Sequence, residues 1–131
     1  MTQPTEASIG RIAMLNAEAS ATIAKGTIVK LDTSQRLAVL KGTAATELLF
    51  GVALEDITAG TWGTICFLGK CLVLADGVHS VGAYLTPDSA GEAVATTTNL
   101  ERWIAIALET GVADTLVEAL VVGPGMEKSV A

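Results

Sequence analysis

The sequence predicts an all-β fold, a small β-barrel or sandwich built from two similar halves and carrying an extended N-terminal arm. Two observations lead there. Short apolar runs recur at close spacing, each bounded by Gly, Asp or Thr, residues that turn a chain because they tolerate positive φ or bond their own backbone. The runs also occur twice. Gly26-Thr27-Ile28-Val29-Lys30-Leu31-Asp32 corresponds to Gly82-Ala83-Tyr84-Leu85-Thr86-Pro87-Asp88 at an offset of 56, and Gly51-Val52-Ala53-Leu54-Glu55 to Ala105-Ile106-Ala107-Leu108-Glu109 at an offset of 54. The second register also pairs Ala59-Gly60-Thr61 with Ala113-Asp114-Thr115. The loop between the blocks is therefore shorter by two residues in the second half, the trace a duplicated β unit leaves.

Each half reads as a strand opened by Gly (27–31 and 83–85), an Asp-led turn, a Thr- and Ala-rich loop, an apolar strand (49–54 and 103–108), an acidic turn and a last strand (62–68 and 115–122). Leu116 to Leu120 also has helix-forming residues, but the β-branched Val117, Val121 and Val122 and the repeat register favour a strand. Residues 1–24 lie outside the duplication as an arm and lead-in, 25–123 form the duplicated domain, and 124–131 are a tail. Met1 to Ala7 is polar and contains Pro4, which suits an extended arm; Ile9 to Leu15 fits a strand or a helical turn equally.

Half of the 131 residues are apolar and only 17% are charged, below the roughly 25% usual for soluble domains. So few charges leave part of the surface to be covered by partner subunits, which predicts a homo-oligomer. The net charge is −6, with five basic and four acidic side chains in residues 1–50 but three and ten in residues 51–131. An acidic chain argues against nucleic acid, whose phosphates need clustered Lys and Arg. No apolar run approaches the roughly twenty residues that span a bilayer as a helix, and no export signal is expected in the first twenty residues, which carry Glu6, Arg11 and Glu18.

No catalytic, cofactor or metal site is expected. Cys71, Asp76 and His79 have the residue types of a nucleophile, an orienter and a base, but a lone His after the Asp76-Gly77 turn reads better as a surface residue. Cys66 and Cys71 lie five apart, which on a continuous strand places them on opposite faces and predicts two free thiols. The adjacent Glu55 and Asp56 read as turn chemistry, with Glu109 and Asp114 in the analogous turn. Lys70, after Gly69, is the one candidate for a lipoyl or biotinyl carrier lysine, yet its neighbours Gly69 and Cys71 are not those of a carrier. Trp62 and Trp103 stand out among so few large residues; beside the plain reading as core, they are candidates for subunit-interface anchors.

Lys25-Gly26-Thr27-Ile28-Val29-Lys30-Leu31-Asp32, then Phe50-Gly51-Val52-Ala53-Leu54-Glu55, Ala59-Gly60 and Leu68-Gly69, repeated as Val81-Gly82-Ala83-Tyr84-Leu85 and Ile104-Ala105-Ile106-Ala107-Leu108-Glu109, form an ordered set over residues 22–122. In that set the chain resembles the capsid cement, or decoration, proteins of tailed bacteriophages. Lys25 departs from the pattern, taking the place of a small residue commoner before the Gly, and the arm matches none of it. The resemblance implies a non-enzymatic virion protein made in the host cytoplasm, trimeric, bound to the outside of the capsid and stapling major capsid proteins together. A carrier domain and another phage part such as a head-fibre base are the alternatives. On this reading the arm binds the capsid, with Pro4, Ile9, Ile12, Met14 and Leu15 as contacts.

Overall fold

The computed structural model describes residues 12–96 and 101–127, and every regular element within them is a β-strand. In chain order they are β1 (Ala13–Ala19), β2 (Ile28–Leu31), β3 (Ala38–Lys41), β4 (Leu49–Ala53), β5 (Trp62–Leu74), β6 (Tyr84–Pro87), β7 (Ala93–Ala95), β8 (Arg102–Ala107) and β9 (Leu116–Glu127). One sheet runs β1-β3-β2-β4-β5-β9-β8-β6-β7, and β1 also pairs with β5, closing the first five strands into a barrel. The 13-residue β5 serves both halves: residues 62–68 pair with β1 and β4, residues 69–74 with β9. The second half curls in the same way, its ring completed by a parallel bridge between Ala75 and Ala93.

The duplication is visible bond by bond. The Gly26 amide donates to the Ala53 carbonyl at 2.8 Å, as Gly82 does to Ala107 at 2.8 Å; Ser20 donates to Val39 and Asp76 to Ala93, both at 3.0 Å. The antiparallel bridge Ile23–Ile57 returns as His79–Gly111, and the parallel contact of Ala19 with Val39 returns as Ala75 with Ala93. Gly69 and Gly123 hold the same φ of +119° at the ends of equivalent strand segments, a conformation open to Gly. By these correspondences β1 is the counterpart of residues 69–75, so the repeat starts at β1.

Three expectations change here. Residues 13–19 are not a separate arm: they form β1, whose small Ala17 and Ala19 are buried against the first barrel's core. The C-terminal tail loses residues 124–127, because β9 continues to Glu127 and pairs back onto Arg102 and Trp103. The Thr- and Ala-rich loops contain β3 and β7, each a hairpin partner for the strand before it.

Packing divides into two clusters. Ala17, Ala19, Ile23, Val29, Val39, Ala53, Ile57 and Ile65 fill the first barrel. Ile28, Leu49, Val52 and Cys66 belong to the first half but join a second, continuous cluster with Cys71, Val73, Leu85, Ile104, Ala119 and Val121 of the second half. One outward face of the first barrel is thus buried on the second. This also corrects the cysteine geometry. Cys66, on the first barrel's outward face that packs on the second, and Cys71, beyond the positive-φ Gly69 within β5, are buried in the same cluster rather than kept apart on opposite faces; both are free thiols.

The halves fill equivalent interior positions differently. In the first, Ile57 is buried against Gly63, where a Cβ would lie 2.4 Å from Ile57 Cγ1. In the second, Gly111 and Val117 stand at these two places and the space over Gly111 is taken by the His79 ring, 2.2 Å from where a Cβ would be. Bulk has been exchanged between partners, the kind of volume-conserving swap that a packed core tolerates.

Candidate functional site

The structure assembles the polar candidates for structural duties. Glu55 accepts from the Thr64 amide at 3.0 Å and Asp56 from the Lys25 amide at 2.7 Å; in the second half Glu109 accepts from the Glu118 amide at 2.7 Å. Each acidic turn therefore ties the start of one strand to its neighbour. Lys70 lies within β5, paired with Leu120 of β9 and 3.3 Å from the Glu118 carboxylate, not at the hairpin tip where a carrier lysine is presented.

Cys71, Asp76 and His79 do not meet as a triad. The Cys71 thiol is buried, and contact with Cys66 together with burial pushes its pKa up, away from the nucleophilic thiolate. His79 is buried rather than on the surface, stacked over Gly111 with neither ring nitrogen in a hydrogen bond, and burial holds the imidazole below its ordinary pKa. Asp76 instead faces Asp88. Their shared hydrogen bond and like charge push Asp76 up to about 6, while Asp88, against the upward push of burial, is held low by that bond and by the amides of Ala90 and Glu92. Asp76, Asp88 and Glu92 offer oxygens within 4.8 Å of one another. Sequence reading missed this group because residues twelve apart meet only through the Ala75–Ala93 bridge. A hollow of about 320 Å³ beside β2 is at the small end for a ligand site, and Lys30, Glu47 and Asp32 in its wall are already bonded to each other or to Ser20 and Ser34.

The feature that remains is an apolar sheet face on the second half. Tyr84, Ile106, Leu120 and Lys70 form one cross-strand row over β6, β8, β9 and β5. Trp103 stacks on Tyr84, with ring centroids 4.5 Å apart and planes 20° from parallel. Tyr84 is 40% exposed and Leu120 37%, and Lys70, at the end of the row, is paired with the Glu118 carboxylate. Such a face is the kind of surface that protein partners cover.

Of the residues singled out in sequence, Trp103 is half-buried on this face. Trp62 is 56% exposed at the start of β5, opposite Glu18. Ile12 packs half-buried on the shared core and Leu15 on the first barrel's core, while Met14 is exposed on β1. Ile12, Met14 and Leu15 thus belong to the folded domain and not to a free arm. Pro4 and Ile9 lie outside the described residues.

No family model matches the chain, and no curated protein matches it. Among solved structures, the chain is similar to the N-terminal base of the head fibre protein gp8.5 of bacteriophage phi29, with a TM-score of 0.70 and 19% identity, covering 89% of this chain and 99% of that one.

Proposed function

We propose that this protein is a non-enzymatic structural subunit of a phage head, bound as a homo-oligomer, a trimer, to the major capsid protein on the outer surface. The observation that carries the reading is the agreement of the double-barrel fold, over nearly the whole length of both chains, with a protein that is the base of a phage head fibre. The ordered sequence blocks that resemble capsid cement proteins support it independently. So does the chemistry: the acidic turns, the buried thiols and the buried imidazole are each spent on the fold, while the apolar sheet face is left over. Several weak contacts from an oligomer add through effective concentration, so a capsid subunit needs no single strong site.

Two versions of this reading differ in purpose. A cement protein stabilises the shell; a fibre base only anchors something to it, and the likeness to a fibre base favours that second version specifically. The test is to prepare heads lacking the protein and add it back. Cosedimentation with the heads is expected, and deletion of residues 1–11, which precede β1, is expected to abolish it while leaving the fold intact. Added protein that raises the temperature at which heads release DNA identifies cement; binding with no change identifies a base. Failure of the full chain to bind heads of its own phage sinks both.

A further inference from the structure

The duplication says what covers the exposed face. Ile28, Leu49, Val52 and Cys66, the outward face of the first barrel, are fully buried on the second. Their repeat counterparts are Tyr84, Trp103, Ile106 and Leu120, the apolar face left open. The chain thus repeats an interface but uses it once internally. We propose that the open face of the second barrel is covered by the first barrel of another copy, so that copies join head to tail through the same contact that joins the two barrels within each chain. This deepens the homo-oligomer part of the proposed function and rests on it.

Two pairs of positions bear on the fit. Inside the chain, Gly26 is packed so closely that a Cβ would lie 2.6 Å from Leu116 of the second half; its counterpart Gly82 has nothing within 4 Å. The counterpart of Leu116 is Trp62, one of the most exposed large side chains at 56%. A head-to-tail contact seats Trp62 of one copy on Gly82 of the next.

Gly91 is wedged between halves, its hypothetical Cβ 2.5 Å from Thr27 and 3.2 Å from Lys41. Its counterpart is Leu37, which holds a φ of +53°, rare for a branched residue, and is 45% exposed. The counterparts of Thr27 and Lys41 are the smaller Ala83 and Ala95. Where the internal contact sets a Gly against Thr and Lys, the contact between copies sets a Leu against two Ala, so bulk is again exchanged between partners. On the open face the Lys70 ammonium is already paired with the Glu118 carboxylate of the same copy. Each copy contributes two different faces, which makes the contact heterologous; a closed ring is the form that leaves no face uncovered.

The test uses the full chain and two charge substitutions on exposed residues, Leu37→Asp on the first barrel and Leu120→Glu on the second, with circular dichroism to verify folding. By sedimentation equilibrium at micromolar concentration the natural protein is expected to be an oligomer and each variant a monomer. An equimolar mixture of the two variants retains one intact face of each kind and is expected to form a one-to-one dimer. Leu37→Gly adds a second readout. It relieves the left-handed backbone, so the melting temperature of the monomer is expected to stay level or rise, while association weakens at least tenfold. A monomeric natural protein, a mixture that stays monomeric, or Leu37→Gly associating like the natural chain overturns the proposal. None of these outcomes depends on head binding, whose failure would sink the capsid reading alone.

Discussion

Exchanging bulk between Ile57 and Gly63 offers a quantitative check on the duplicated core. A methyl on Gly63 would sit 2.4 Å from Ile57 Cγ1 and 2.5 Å from Cδ1, and Ile57 is 2% exposed, so neither side chain can move to solvent. Gly63→Ala should cost about 1–3 kcal/mol by overpacking, and Ile57→Ala about 2–5 kcal/mol by opening a cavity. The second half already carries the reverse arrangement, small at 111 and large at 117. In the double variant the new methyl occupies space that Ile57 has vacated, so the pair should cost no more than Ile57→Ala alone. That is a favourable coupling of about 1–3 kcal/mol between contacting residues. At about 3–5 °C per kcal/mol for a domain of this size, it is large enough to resolve. Urea unfolding followed by tryptophan fluorescence, at fixed protein concentration because assembly shifts apparent stability, gives the four values of the cycle. Costs that add to within about 0.5 kcal/mol would refute the exchange.

Three further outcomes follow from the electrostatics and the thiols. Burial pushes the Glu47 carboxylate up, but hydrogen bonds from Lys30, Thr43 and the Ala44 amide outweigh it and hold the group at about 2 against an ordinary 4.5. Its contribution is therefore complete above about pH 4.5 and lost as pH falls towards 2. Glu47→Gln should cost on the order of 1–2 kcal/mol at pH 7 after solvent screening, a difference that disappears in melts at pH 2; a cost that persists there contradicts the linkage. Asp76 is shifted the other way, to about 6, so the stability linked to its protonation is present below about pH 3.8 and lost as pH rises through 6. Asp76→Asn should raise the melting temperature at pH 8 and leave it nearly level at pH 3.5; an equal change at both pH values contradicts the shared proton. Cys66 and Cys71 should resist a thiol reagent in the native protein and react together on unfolding, and a mass two daltons low would show a disulfide instead.

What the sequence disclosed was the part of the repeat written in its turns. Gly26 and Gly82 keep their type, and Gly60 and Asp114 are both turn-forming residues, because each of the four holds a positive φ; with the apolar blocks beside them they gave the offsets and the all-β class. β1 escaped because Ala-Met-Leu-Asn-Ala-Glu-Ala and its counterpart Gly-Lys-Cys-Leu-Val-Leu-Ala agree in sequence only at the final Ala; alternation is what they share, with Ala17 and Ala19 buried as Val73 and Ala75 are. β3 and β7 were too short to stand out from loops. The exposed face was beyond local reading altogether. Ile28 and Tyr84, or Cys66 and Leu120, are apolar alike, and only the stacking of one barrel on the other decides which member is covered.

Difference imaging of virions with and without the protein tests the central claim most directly. Electron cryo-microscopy of the natural phage and of a mutant lacking this chain should reveal density on the outer surface of the head in the first and not in the second. That density should divide into closed clusters of double barrels resting on the major capsid protein. Heads that look identical, or difference density confined to the interior or the tail, would contradict the account.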